Sequence, residues 1–352
     1  MKRVLVVGAS GWGNVGDDLI AVRIAEWLKP LGMKVVVAGG PIGQVPLPQG
    51  AEYVSSSGST LSRVRLVYEI VRSRHVIIGG GGLLDDRSPT FYRPFARISR
   101  FARLIGRRYS LVSVGVGPIR NAGTAGDYQK IVDGASSVSV RDPESKNRLQ
   151  SCGVRQHVDV VSDPALWATV TDNNRSSASF DLAINLRCWA DSDGRRSDNF
   201  RRGTREIVDE VAEAVNTVFG PESSVVLVSM SKLEGDNDST VLELLAEKLE
   251  SKVDKVYSCQ LSEVESAVQS SRHVLSMRLH LALMGVSYGK SVAGISYDAK
   301  ISQQGRIWDF PVVDLDENYC SATIADALAR SVNCVDREGF ARSSMAPTCY
   351  LF

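Results

Sequence analysis

The 352-residue sequence has no CxxC pair, and none of its six cysteines (Cys152, Cys188, Cys259, Cys320, Cys334, Cys349) has a histidine at ligand spacing. Neither a zinc site nor a disulfide framework is indicated, so reduced thiols and no metal are expected. No uninterrupted apolar run approaches the ~18 residues of a membrane span. Val4–Val7, behind Lys2 and Arg3, is too short for a signal-peptide core, which predicts a cytoplasmic protein. Excess charge of either sign is missing too: 41 Lys and Arg face 40 Asp and Glu, a net charge of +1. That balance removes any general attraction to nucleic acid and leaves electrostatics local. Low-complexity segments and short solenoid repeats are absent. The length suits about two domains.

What the sequence does have is a repeated alternation. Short apolar runs at Val4–Val7, Val35–Val37, Val76–Ile78, Leu111–Val114, Ser137–Val140 and Val158–Val161 alternate with glycine turns and helical patterns. This is the signature of βαβ units and a parallel sheet covered on both sides. Asp142-Pro143 reads as the N-cap and first turn of a helix, and Asp163-Pro164 repeats the arrangement. Between Trp167 and Ser179 the pattern gives way to Thr, Asp, Asn and Ser. It resumes with strands near 182–185, 225–228 and 253–257 and helices near 203–219, 239–251 and 261–270. The expected organisation is an N-terminal Rossmann-like domain over 1–168, a linker at 169–180, a second Rossmann-like domain over 181–335 and a tail at 336–352. The α/β domains would face a common cleft in a GT-B-like arrangement.

Gly11-Trp-Gly13-Asn-Val-Gly16 satisfies GxGxxG, but a dinucleotide site also needs an acidic residue at the end of the next strand. Ala38, Gly39 and Gly40 stand there instead. What remains is either a tight turn or a loop whose backbone can approach an anion at a helix N-terminus. Four consecutive glycines, Gly79–Gly82, are costly in chain entropy and are expected to face a ligand. Gly16, Gly80 and Gly81 are therefore candidate substrate contacts.

The chain is organised around Val274 to Ile301. An apolar strand leads to Arg278-Leu-His280 and a short helix, then a second strand, Val292–Ile295, leads to Tyr297-Asp-Ala-Lys300. In open α/β sheets ligands bind beyond the carboxyl ends of the strands, where Arg278, His280 and Lys300 fall. Met277-Arg-Leu-His280 followed by Ser296-Tyr-Asp-Ala-Lys300 resembles the polysaccharide pyruvyltransferase family. The resemblance extends through Gly13-Asn-Val-Gly-Asp17, Gly79–Gly82, Ser139-Val-Arg141-Asp142, Asp163-Pro-Ala-Leu166 and Asp236-Asn-Asp238. It implies a two-domain enzyme that moves the enolpyruvyl group of phosphoenolpyruvate onto a sugar of a cell-surface glycan or its precursor, leaving a pyruvate ketal and phosphate. It also implies roles for Arg141, His280 and Lys300. After His280, Leu281-Ala-Leu-Met-Gly departs from the family's small residues, and Lys290-Ser291 stands where a proline is common; both bear on the acceptor.

Phosphoenolpyruvate carries a phosphate and a carboxylate, which an arginine fork suits better than a lysine. Arg141 is the first candidate for that grip, against the plainer reading of an ion pair with Asp142 or a neighbour. Arg278 is the second, or else a tether for the loop that aims His280. His280 is the candidate proton donor, because imidazole titrates in the right range. Lys300 would neutralise the departing phosphate, and Asp17 would orient an acceptor hydroxyl or simply sit at a helix start. His75, His157 and His273 read as structural. Asp236 and Asp238 read as helix caps before metal ligands. No cofactor is required beyond phosphoenolpyruvate as co-substrate, and no nucleic-acid partner is expected. The alternatives are a GT-B-type glycosyltransferase using a nucleotide sugar and a non-catalytic relative that binds an anionic glycan.

Arg87 to Gly126 contains no acidic residue. Within it, Tyr92–Arg108 reads as an amphipathic helix with Phe95, Ile98, Phe101, Ala102 and Ile105 on one side and Arg93, Arg97, Arg100, Arg103, Arg107 and Arg108 on the other. Arg97, Arg100 and Arg107 are expected to meet an anionic surface: the inner leaflet of the membrane or the phosphates of a lipid-linked acceptor.

Overall fold

Valine- and isoleucine-rich strands with no polar face have to be covered on both sides, and parallel sheets flanked by helices are the usual solution. A computed structural model describes residues 2–42, 45–86, 89–167, 178–187, 203–315 and 319–332. Most of the linker expected at 169–180 lies outside the described residues, as do the tail at 336–352 and Cys188, Cys334 and Cys349. Cys152, Cys259 and Cys320 are free thiols. Contacts divide the chain into two α/β units.

The first unit carries strands β1 (Arg3–Val7), β2 (Lys34–Gly39), β3 (Glu52–Ser55), β4 (His75–Gly79), β5 (Arg108–Val114), β6 (Ser137–Val140) and β7 (Asp159–Val160). They form a parallel sheet in the order β3-β2-β1-β4-β5-β6-β7, which reverses direction between β1 and β4. Helix α1 (Val15–Leu28) covers one face, burying Ile20, Ile24 and Leu28 against Val4, Val6 and Ile77. The other face meets α2 (Thr60–Arg72), α3 (Pro89–Leu104), α4 (Ala122–Asp133) and α5 (Pro143–Ser151). There Ile70, Phe95, Ile98, Tyr128 and Leu149 close on Leu5, Val7 and Ile78. Adjacent residues of β1 thus serve opposite cores, as a two-residue period requires. Ser59 caps α2, accepting from Ser62 N–H, and Asp142 caps α5, accepting from Ser145 N–H at 2.6 Å.

The second unit repeats the plan. Its strands are β8 (Phe180–Asn185), β9 (Ser224–Val228), β12 (Lys252–Val256), β13 (Ser271–Ser276), β14 (Ser291–Ser296) and β15 (Val312–Asp314), with a small antiparallel hairpin of β10 (Lys232–Leu233) and β11 (Asp236–Asn237). The parallel order is β12-β9-β8-β13-β14-β15, and the reversal falls between β8 and β13. The helices are α6 (Thr204–Phe219), α7 (Ser239–Ala246), α8 (Leu261–Gln269), α9 (Leu279–Ser287), α10 (Ala299–Trp308) and α11 (Ser321–Val332). Helix α6 buries Ile207, Val208, Val211 and Val215, each worth roughly 1.5–3 kcal/mol relative to exposure. Helix α7 stops short of the end expected near 251. The Asn216 side chain donates to Lys248 O and accepts from Glu250 N–H, turning the chain toward β12.

One short segment groups against chain order. Gly13–Gly16 belongs to the second unit, although the residues on either side belong to the first. Val15 N–H donates to Met230 O at 2.8 Å, Lys232 N–H donates to Gly13 O at 3.1 Å, and Asn14 bridges Ser231.

Candidate active site

In the second unit Arg278 and His280 follow β13, beside the strand reversal, and Lys300 follows β14. Arg278, two residues beyond β13, is buried and ion-paired. Its Nη2 donates to Asp238 Oδ1 at 2.6 Å and to Asp236 O, its Nε to Asp238 Oδ2, and its Nη1 to Asp236 Oδ2 at 2.9 Å. Burial alone would lower its pKa, yet Asp238 and Asp236 more than offset that and hold the guanidinium charged, above the ordinary arginine value. Arg278 is therefore not the open fork for a donor anion that the sequence suggested. It acts as the tether, fixing the hairpin to the start of α9. Asp238 is not a side-chain cap of α7 either. Besides Arg278 it accepts from Met230 N–H and from Asn185 Nδ2 at the end of β8. Asp236 also receives Arg187 at 2.7 Å, and Arg187 stacks on Tyr297 and donates to its hydroxyl at 2.6 Å. One network thus links Asp236-Asn-Asp238, the strand end before His280, and the Tyr297-Asp-Ala-Lys300 motif.

His280 is the second residue of α9, a helix otherwise buried along most of its length. Arg278 occupies the N-cap position but makes no side-chain cap, because its guanidinium is turned to the aspartates. The positive end of α9, which receives no cap from its own N-cap side chain, lies beside the imidazole. Gly16 packs directly on that ring: a Cβ at Gly16 would lie 2.1 Å from His280 Nδ1. The loop leading to Gly16 is held by Asn14, whose Oδ1 accepts from Gly16 N–H at 2.9 Å. Only glycine allows this approach. Lys300 is half-buried in the first turn of α10. Asp298 caps that helix through Lys300 N–H and lies 3.8 Å from the ammonium.

The first unit treats its candidates differently. Arg141, immediately after β6, is buried with Nη1 3.1 Å from Asp163 and Nε 3.5 Å from Asp142. This is the plainer ion-pair reading: its charge is answered by two carboxylates, which does not support its expected role as the donor grip. The Gly79–Gly82 loop also departs from expectation. A Cβ at Gly80 would fall 1.9 Å from Ile20 of α1, and one at Gly79 would fall 2.6 Å from Ile24. Gly80 and Gly81 both have φ near +70°. Close packing on α1 at Gly79 and Gly80 and left-handed backbone at Gly80 and Gly81 are by themselves sufficient reasons for glycine at these three positions. Asp17, in the first turn of α1, places Oδ1 3.4 Å from where a Gly81 Cβ would sit, and Asp18 accepts from Gly11 N–H at 2.7 Å. On α3 the apolar face packs inward as expected, and Arg93, Arg97, Arg100 and Arg103 are exposed. Arg107 lies beyond the helix and is only half-exposed.

The remaining histidines are structural. His75 is buried, 2.8 Å from Ser110 Oγ, and burial, aided by Arg108, pushes its pKa down to about 4. His273 packs on Phe219, and His157 pairs with Asp159. Among the described residues, no group of three or more His, Cys, Asp or Glu could hold a metal ion, and no helix is long and apolar enough to cross a membrane.

The family model for polysaccharide pyruvyl transferase matches residues 14–299, from the loop under His280 to the start of α10. The chain belongs to the polysaccharide pyruvyl transferase family. It is a transferase with two parallel-sheet α/β domains of GT-B-like architecture. No curated protein matches it. Among solved structures, UDP-GlcNAc 2-epimerase from Methanocaldococcus jannaschii aligns over 95% of this chain and 93% of its own, with 12% identity and a TM-score of 0.59. A glycosyltransferase from Rickettsia africae ESF-5 aligns over 97% and 91%, with 12% identity and a TM-score of 0.55. At these identities the likeness is one of fold alone. A residue that sequence reading did not single out, Arg187, joins the network between Asp236 and Tyr297. Its one signal was its place just past the strand that ends at Asn185, the same kind of position that drew attention to Arg278.

Proposed function

We propose that this member of the family transfers the enolpyruvyl carbons of phosphoenolpyruvate onto two hydroxyls of one sugar in a polysaccharide or its precursor, forming a pyruvate ketal and releasing phosphate. The observation that carries the reading is His280 in the first turn of α9, at the strand reversal and packed against Gly16. A protonated imidazole there delivers its proton to the methylene carbon of the enol as one acceptor hydroxyl adds to the neighbouring carbon. That hydroxyl's proton restores the imidazolium. The second hydroxyl then displaces phosphate, and its proton leaves with the phosphate. The positive end of α9, with the part-exposed cations Arg187 and Lys300, supports binding of the donor's anionic groups. Arg278 and Arg141 serve as positioning residues, each holding a strand end. Asp17, next in the chain after Gly16, is the candidate for orienting the acceptor hydroxyl. A lipid-linked precursor is one acceptor class, and its phosphates suit exposed arginines such as those of α3.

The test is phosphate release from phosphoenolpyruvate with a panel of lipid-linked, nucleotide-linked and polymeric sugar acceptors, run beside nucleotide sugars as donors. His280→Ala is expected to lower turnover by about 10²-fold or more while phosphoenolpyruvate still binds. A fully active His280→Ala enzyme would sink the acid assignment. Thermal stabilisation by nucleotide sugars and not by phosphoenolpyruvate would sink the donor.

A further inference from the structure

Helix α2 presents its apolar residues to solvent. At 100° per residue, Ser62, Leu66, Glu69 and Ile70 fall on one side, and these are its buried or half-buried positions. Leu61, Val64, Tyr68 and Val71 fall on the opposite side. Leu61 is 76% exposed, Val64 58% and Tyr68 52%, with Val67 and Val71 also exposed. Arg63 edges this stripe on one flank and Arg65 and Arg72 on the other, all three exposed. Arg72 sits over the Tyr68 ring and donates to its hydroxyl at 2.9 Å. The single acid of α2, Glu69, is buried and paired with Arg3 at 3.0 Å, so it offsets none of the outward charge.

Helix α3 lies on the same face of the sheet, toward β5 and α4, while α2 lies over β3 and β1. Both helices contribute to one core on the same face of the first sheet, so their outer sides belong to one layer. Helix α3 adds exposed Arg93, Arg97, Arg100 and Arg103, the exposed Phe91 and Leu104, the latter 81% exposed, and no acid.

We infer that the outer surface of α2 and α3 docks on an anionic phospholipid bilayer, with the Leu61–Val71 stripe entering the headgroup region and the arginines meeting lipid phosphates. An apolar face bordered by cations, with an aromatic hydroxyl at the edge, is the pattern of helices that lie in a membrane interface. A second copy of the chain fits poorly. A two-fold contact through this patch would set arginine against arginine with no exposed acid in either helix to answer it. The inference does not depend on the donor chemistry, because vesicle binding is measured without donor or acceptor.

The experiment is sedimentation of the full chain with neutral phosphatidylcholine vesicles and with vesicles containing phosphatidylglycerol, at low and high salt. Two triple variants accompany the parent: Leu61→Ser with Val64→Ser and Val71→Ser, and Arg63→Gln with Arg65→Gln and Arg72→Gln. All six side chains are exposed, so folding is expected to survive, and circular dichroism checks it. The parent should bind anionic vesicles well above neutral ones and lose much of that binding in high salt. An arginine at an anionic surface strengthens partitioning roughly fivefold, so the glutamine variant should bind at least about tenfold more weakly. The serine variant should also lose at least about tenfold, with the salt dependence of its residual binding retained. Equal binding of parent and serine variant overturns the inference, as does a parent that ignores anionic vesicles. A self-association in analytical ultracentrifugation that the serine variant abolishes, without vesicle binding by the parent, overturns it in favour of a second copy.

Discussion

Arg141 in the first unit and Arg278 in the second hold matching places: each comes just after a parallel strand, each is buried, and each is held by two aspartates. The helix starts beside them differ. Asp142 comes next after Arg141 and closes the N-terminus of α5 by accepting from Ser145 N–H. Arg278 itself is the N-cap of α9 and makes no side-chain cap, its guanidinium being turned to the aspartates, and His280 stands in the first turn. The same ion-paired strand end is therefore followed by a side-chain-capped helix in one unit and, in the other, by a helix whose N-cap side chain is turned away, with an imidazole in its first turn. Organising a strand end and binding a ligand are separable tasks, and a buried arginine is evidence of the first before the second.

The sharpest way to break this comparison is to remove each arginine. Arg278→Met and Arg141→Met each leave buried carboxylates without their cation, which costs about 3–5 kcal/mol. Chemical denaturation should show losses of that size in both variants. If Arg141→Met is nearly neutral in stability but abolishes phosphoenolpyruvate binding, Arg141 is a donor contact after all and the parallel fails.

A second test uses the histidines buried in the strands. His75 has a pKa of about 4 against an ordinary value of 6.5, lowered by burial and then by Arg108. The unfolded chain therefore takes up a proton that the folded one refuses. Stability is fully present above about pH 6.5 and is lost as the pH falls toward 4. At pH 5 the loss is about 2 kcal/mol, and His75→Asn should remove that part of the acid sensitivity. In the second unit burial also lowers the His273 pKa, but Asp181 opposes it. His273→Asn should flatten the stability profile less. Equal flattening by the two variants would show that the units do not differ in this respect.

The smallest effect concerns the start of α9 itself. Gly16→Ala places a methyl group in the space held by the His280 ring, so the ring must move. Turnover should fall about tenfold, or ~1.4 kcal/mol in barrier, with a lower melting temperature as the ring is forced aside. A Gly16→Ala enzyme with unchanged turnover would show that the contact does not position His280.

Much of the scaffold was legible from residue order. The alternation of strands and helices, the Asp142 cap and the inward face of α3 all arise from local period and local hydrogen bonding, as does the place of His280 after a strand. Helix α2 was not legible as a surface. Leu61, Val64, Tyr68 and Val71 share one helical side, and such a stripe ordinarily reads as a core face; the structure turns it outward and buries Glu69 instead because Arg3 of β1 waits beneath. The glycines at 79 and 80 were illegible for a related reason: the partners that forbid a side chain there are Ile24 and Ile20 of α1, distant in the sequence.

The sequence by itself determined the two α/β units, the family and the candidate imidazole, since these rest on periodicity and on motifs within a few residues. Which cations are bound by carboxylates and which N-cap side chain is turned away from its helix was decided by tertiary structure alone. Arg278 meets Asp238 across 40 residues of chain, and Gly16 meets His280 from the far end of the sequence. Charge compensation and steric exclusion act over ångströms in space, and separation along the chain does not report them.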